Sequence, residues 1–145
     1  MRRPLNFPIA AEQLIPHRPP LCLIDRLLAY DGLQGVVEAT LLPGSICIMD
    51  DGSIEQTALV ELIAQSFAAI KGYADLLEGK PVYKGFLVGV KRVTFQGTAY
   101  GNDRLLIDIT KTGETDEFAL AEGRVIRGEE VLAAGSLMVW IPREV

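Results

Sequence analysis

Residues 53–73 read SIEQTALVELIAQSFAAIKGY, and the fold turns on how this stretch is read. Ala58, Leu59, Val60, Leu62, Ile63, Ala64, Phe67, Ala68, Ala69 and Ile70 leave almost no polar face. That pattern describes a helix surrounded by protein on most sides. Ser53 with Gln56 three residues on has the form of a capping box, which sets the helix start at Ser53. Gly79 and Pro81 close the segment after Leu76 and Leu77. Along the rod, Thr57, Glu61 and Gln65 recur at i, i+4 spacing and form one narrow polar stripe. Glu61 is a carboxylate where a carboxylate is expensive, so the stripe needs partners.

Outward from the helix, the flanking segments read as strands. Three prolines around His17 and Arg18, in LIPHRPP at residues 14–20, make a stiff corner by fixing φ and extending their neighbours. Residues 21–28 and 36–42 are apolar runs separated by Asp31-Gly32, a hairpin signal. Pro43 and Gly44 break the second run. Residues 45–52 lead to the helix as a loop ending in Asp50 and Asp51, which suit a helix dipole. After the helix come four β-rich segments, 85–95, 104–111, 117–125 and 131–141, with turns at 101–103, 113–116 and 127–129. Leu105, Ile107 and Ile109 alternate with Leu106, Asp108 and Thr110, giving one buried and one wetter face. The expectation is one α+β domain over residues 1–145, six antiparallel strands wrapped around one helix. One helix covers one face only, so a second copy is expected to bury the remaining edge or helix flank.

Bulk properties exclude several classes. The chain has 145 residues, 49% apolar and 23% charged, with a formal charge of −5. It carries no Lys/Arg cluster of the kind that neutralises phosphates, so no nucleic-acid partner is expected. Lys80, Lys84, Lys91 and Arg92 gather locally, as a solvated sheet edge or as a docking patch for an acidic partner. No apolar run reaches the roughly 20 residues of a membrane span. The N-terminus lacks an apolar signal core, and the expected location is cytoplasmic. Cys22 and Cys47 are expected to be reduced. One histidine and no CxxC argue for no metal site, and no cofactor is expected.

The chain resembles the 3-hydroxyacyl-acyl-carrier-protein dehydratases of the hot-dog fold. The residues LIPHRPPLCLIDR at 14–26 are similar to that family's Leu-Pro-His-Arg-x-Pro-Phe-Leu-Leu-x-Asp-Arg opening, and VELIAQ at 60–65 to its Val-Glu-Ala-Met-Ala-Gln helix. A looser match covers residues 86–95 and 101–105. The family removes water reversibly from 3-hydroxyacyl thioesters at a site formed across a dimer. The resemblance makes Glu61 the catalytic helix carboxylate. The family's loop histidine, in Gly-His-Phe-Pro, has no counterpart in GSICIMDDG at residues 44–52. The His-Arg-Pro-Pro corner and the acidic-Gly lead into the helix are closest to the divergent ApeP-like branch associated with aryl polyene pathways.

Dehydration needs a base for the α-proton, an acid for the departing hydroxyl, and donors for the thioester carbonyl. A carboxyl withdrawn from water can fill the first two roles in turn. Backbone N–H groups at Gln56 and Thr57 are ready oxyanion donors. Gln65 would hold Glu61 or a water. His17 is the one imidazole available as a replacement acid; its alternative is a bond to a nearby carbonyl. Phe67, Tyr73 and Phe86 belong to the core or line an acyl tunnel. The substrates expected are acyl carrier protein or coenzyme A thioesters, and the assembly a homodimer or a heterodimer with another hot-dog subunit. Two other functions stay open: a non-catalytic hot-dog subunit paired with an active dehydratase, and an acyl thioesterase.

Overall fold

The computed structural model describes residues 6–80 and 86–140. Pro81, Lys84, Gly85 and Ile141, which enter the readings above, lie outside the described residues, as does the side chain of Phe86. The described elements run β1 (Ile9–Ala10), a short 3-10 turn (Ala11–Gln13), β2 (Arg26–Tyr30), β3 (Gln34–Ala39), α1 (Gln56–Leu77), β4 (Phe86–Phe95), β5 (Leu105–Glu114), β6 (Phe118–Arg127) and β7 (Glu130–Trp140). The strands form one sheet in the order β1-β2-β3-β5-β6-β7-β4, each pair antiparallel. The extra strand beyond the six expected is β1, two residues long and too short to leave a periodic signal.

Alternation sets the sheet's faces. Leu105, Ile107 and Ile109 of β5 are fully buried, and Ala119, Ala121 and Val125 of β6 lie on the same side. This is the face covered by α1, whose Leu59, Leu62, Ile63, Phe67 and Ile70 are all buried. Contact is close because the sheet is thinned beneath the helix. A Cβ on Gly123 would collide with Ile63 Cγ2 and fall 2.8 Å from Ile109 Cδ1. Gly123→Ala should therefore destabilise the fold by about 1–3 kcal/mol, the usual cost of overpacking. Chemical denaturation would check this, and an unchanged midpoint would mean that the helix can lift away freely.

The capping box is not formed. The helix begins at Gln56, with Glu55 at the N-cap position and no side chain capping it. Ser53 is held instead by a turn: its N–H and hydroxyl both donate to Asp51 Oδ1, and its backbone bridges to Tyr100. Asp51 thus serves the turn rather than the helix dipole. The stop falls where expected, after Leu77, with Gly79 at φ +72°. Gly113 sits at a bulge inside β5, so the turn to β6 comes later than the sequence suggests.

Polar fastening of the hairpin is concentrated at Glu38 of β3. Its carboxylate accepts from Arg26 Nε at 2.8 Å and Arg104 Nε at 2.7 Å. The Arg104 bond, ahead of Arg26, holds the Glu38 carboxyl below its ordinary range. A depressed carboxyl stabilises the fold in full above its unfolded value of about 4.3 and loses that contribution as pH falls through the lower folded value. Both guanidiniums remain at least half in water, so Glu38→Gln should cost only about 1 kcal/mol near neutral pH. The difference from wild type should shrink below about pH 4, as urea midpoints at the two pH values would show.

Candidate active site

Two segments meet the flank of α1 that carries Glu61. On this flank Val60, Glu61, Ala64 and Ala68 are only half-buried, at helical spacing, while the opposite side of the helix is fully covered. The first segment is the proline corner. Arg18 closes it by donating to the carbonyls of Ile15 at 2.8 Å, His17 at 2.8 Å and Glu12 at 3.1 Å. The N–H groups of Leu21 and Cys22 turn back to the Arg18 carbonyl. The corner lies directly on the helix, because the Leu14 carbonyl oxygen occupies the space a Cβ on Gly72 would need.

Gln65 ties this corner to Glu61. It is 1% exposed, and its Nε2 donates to the Leu21 carbonyl at 2.8 Å and to Glu61 Oε1 at 2.9 Å. Its Oε1 accepts from the Leu23 N–H at 2.8 Å. Both amide hydrogens are used, and the orientation of the amide is fixed by having a donor on one side and acceptors on the other. The strand expected from residue 21 consequently begins only at Arg26, since the backbone of residues 21 and 23 is satisfied by this side chain. The polar stripe contracts to Glu61 and Gln65; Thr57 is exposed, and among the described residues its side chain makes no bond to them.

The second segment is the loop before the helix. The Glu55 N–H donates to the Cys47 carbonyl at 2.9 Å, and the Ile54 N–H to the Ala99 carbonyl at 2.7 Å. Burial pushes the Cys47 thiol above its ordinary range, and the carboxylates of Glu55 and Glu61 add to the rise. Cys47 therefore lies within electrostatic reach of Glu61, its thiol less acidic than an exposed one. Sequence reasoning did not place it there. The available signal was its position in residues 44–52, where the resembling family carries its histidine.

Gln56 and Thr57 open α1, so their N–H groups have no acceptor within the helix. His17 is half-buried, with Nδ1 buried and without a partner among the described residues. No hydrogen bond among the described residues joins it to Glu61. The other polar residues of the corner motif serve the scaffold: Asp25 accepts from the Thr40 N–H at 2.8 Å, and Arg26 binds Glu38. No group of three or more His, Cys, Asp or Glu side chains that could hold a metal ion occurs among the described residues. Chemically, the site offers a carboxylate with one oxygen fixed by an amide, on an apolar flank that is open on one side.

A family model described as ApeP-like, ApeP dehydratase, matches residues 9–145. The chain belongs to the ApeP-like dehydratase family. Among solved structures, this ApeP-like fold matches the dehydratase heterocomplex ApeI:P from Xenorhabdus doucetiae with TM-score 0.88 and 19% identity, covering 94% of this chain and 93% of that one. Zebrafish thioesterase superfamily member 2 matches with TM-score 0.67 and 13% identity over 88% of each chain. A hypothetical thioesterase with coenzyme A from Streptococcus pneumoniae TIGR4 matches with TM-score 0.63 and 9% identity, over 81% of this chain and 88% of that one. These likenesses establish the hot-dog fold, an antiparallel sheet around one long helix. No curated protein matches the chain. Among the described residues no helix is long and apolar enough to cross a membrane.

Proposed function

We propose that this ApeP-like chain interconverts 3-hydroxyacyl and enoyl thioesters of an acyl carrier protein, in cytoplasmic fatty-acid-like or aryl polyene synthesis, with Glu61 moving the proton. One observation carries this reading: Gln65 fixes one oxygen of the Glu61 carboxylate on the open flank of the core helix, leaving the other for substrate. In the dehydration direction the Cα–H bond breaks and its proton passes to Glu61. The electron pair forms the Cα=Cβ bond as the Cβ–O bond breaks, and Glu61 returns the proton to the departing hydroxyl, which leaves as water. The N–H groups of Gln56 and Thr57 would bond the thioester oxygen as enolate charge develops there. His17 is the second proton donor available to the site, and a hot-dog partner subunit would complete the open flank.

A second reading, a non-catalytic subunit paired with an active dehydratase, is favoured by the absence of an imidazole from residues 44–52 and the weak acidity of Cys47. The two separate on one assay. The purified chain, alone and with a co-expressed hot-dog subunit, is incubated with 3-hydroxyacyl and enoyl thioesters of carrier protein and of coenzyme A, and masses are followed. Interconversion supports the dehydratase. Release of free thiol would make the chain a thioesterase instead. No turnover by the chain alone, with normal turnover by the pair carrying Glu61→Gln, would establish the non-catalytic subunit.

A further inference from the structure

Residues 98–103, between β4 and β5, are fastened to the end of β6. Asp103 closes the segment: its N–H donates to the Tyr100 carbonyl at 3.1 Å, and its Oδ2 accepts from the Tyr100 N–H at 2.9 Å. Between them Asn102 takes a left-handed conformation, φ +70°, which asparagine tolerates better than most residues. The same Asp103 Oδ2 accepts from Arg127 Nη1 at 2.8 Å, and Nη1 also donates to the Thr98 carbonyl at 2.9 Å. Both ends of the segment therefore meet at one guanidinium nitrogen. Arg127 is the last residue of β6, and its Nη2 donates to Glu130 Oε2 at 3.1 Å across the β6–β7 turn.

This segment carries the residues that start the helix. The Ile54 N–H donates to the Ala99 carbonyl at 2.7 Å and the Gly101 N–H to the Gly52 carbonyl at 3.0 Å, on either side of the Ser53–Tyr100 bridge. The Asn102 N–H ties the segment to the Leu41 carbonyl at 2.9 Å, and a Cβ on Gly101 would lie 2.9 Å from Ile48 Cδ1. Because no side chain caps α1, these backbone bonds set where the free N–H groups of Gln56 and Thr57 point. At side-chain exposures of 24% and 31% the Asp103–Arg127 pair adds little stability through charge alone. We propose that Asp103, held by Arg127, is a positioning residue: through residues 52–54 it aims the Gln56 and Thr57 N–H groups, and so governs the chemical step rather than the binding of substrate. This rests on the reading above, in which those N–H groups bond the thioester oxygen.

Amide hydrogen exchange on the full chain reads this hold without turnover, and steady-state kinetics with the co-expressed hot-dog subunit reads its consequence. Asp103→Ala removes the acceptor, whereas Asp103→Asn keeps an oxygen for both the Tyr100 N–H and Arg127. In Asp103→Ala the Ile54 and Gly101 amides should exchange about tenfold faster, while the core amides of Leu62, Ile63 and Ile70 keep their wild-type rates, the pattern of a local opening. In the same variant kcat for interconversion of the carrier-protein thioesters should fall about 10–100-fold, the scale of a displaced reacting geometry, with KM within about twofold. Asp103→Asn should bring exchange and kcat back to within about threefold of wild type. Should Asp103→Ala fail to fold by circular dichroism, Arg127→Met removes the hold from the β6 side and is read for the same changes. Core amides accelerating together with Ile54 would make Asp103 a general stabiliser and overturn the proposal. Unchanged exchange at Ile54, a raised KM at wild-type kcat, or no recovery in Asp103→Asn would overturn it as well. Absence of interconversion in the wild type would overturn the dehydratase reading instead, and the exchange pattern would still decide whether Asp103 holds the helix start.

Discussion

Glu61→Gln should lower the rate of enoyl–hydroxyacyl interconversion by about 10²–10⁴-fold while the chain stays folded, the usual contribution of a positioned acid-base group. The stability half of this expectation follows from the geometry. Glu61 is half-buried, and the amide that replaces it can still accept from Gln65 Nε2 through its carbonyl oxygen, so no buried donor is orphaned. What the amide cannot do is take a proton from carbon and return it to oxygen. Steady-state kinetics beside a thermal unfolding curve would read both quantities. Rate and stability falling together would point to a structural role for Glu61, and an unchanged rate would remove it from the chemistry.

The largest expected loss of stability is at Gln65. Gln65→Leu nearly preserves volume but leaves the Leu23 N–H without its acceptor and removes the donor to the Leu21 carbonyl. A buried group left unsatisfied costs about 1–3 kcal/mol, so the total should fall near 2–4 kcal/mol, with the Leu21 carbonyl costing less because its segment borders solvent. Activity should fall as well, because Glu61 loses the bond that orients it. Gln65→Glu separates the two effects: it keeps the acceptor for Leu23, but its ionised form places a second negative charge against Glu61. Raised activity at lower pH in that variant would locate the effect in the carboxylate pair rather than in the corner. Urea unfolding and a pH–rate profile are the measurements, and a Gln65→Leu midpoint equal to wild type would contradict the clamp.

The sequence made the helix, its buried face and the pairing of Glu61 with Gln65 legible, because each rests on spacing within one element. The alternation at Leu105, Ile107 and Ile109 was legible for the same reason. Features settled by distant residues were not. Residues 21–24 look like a strand start, yet their backbone is bound by a side chain more than 40 residues away. Ser53 and Gln56 have the capping-box spacing, but the Ser53 hydroxyl is taken by Asp51, two residues back. Cys47 carried only its position in residues 44–52 as a signal; what ties it to the start of the helix is the bond from the Glu55 N–H to its carbonyl, across eight residues of loop. Lys91 and Arg92 were visible as part of a basic cluster, but their location on a strand at one end of the sheet required the strand order.

The central claim, that Glu61 exchanges the α-proton of a thioester substrate, is tested most directly by hydrating an enoyl carrier-protein thioester in deuterium oxide. The product is returned to ordinary water and the deuterium retained on carbon is located by mass fragmentation. Wild type, with its pairing subunit, should place one deuterium on the α-carbon, and Glu61→Gln should place almost none in the same time. Deuterium entering at the wild-type rate in Glu61→Gln would contradict the account and leave the proton to another residue or to the partner.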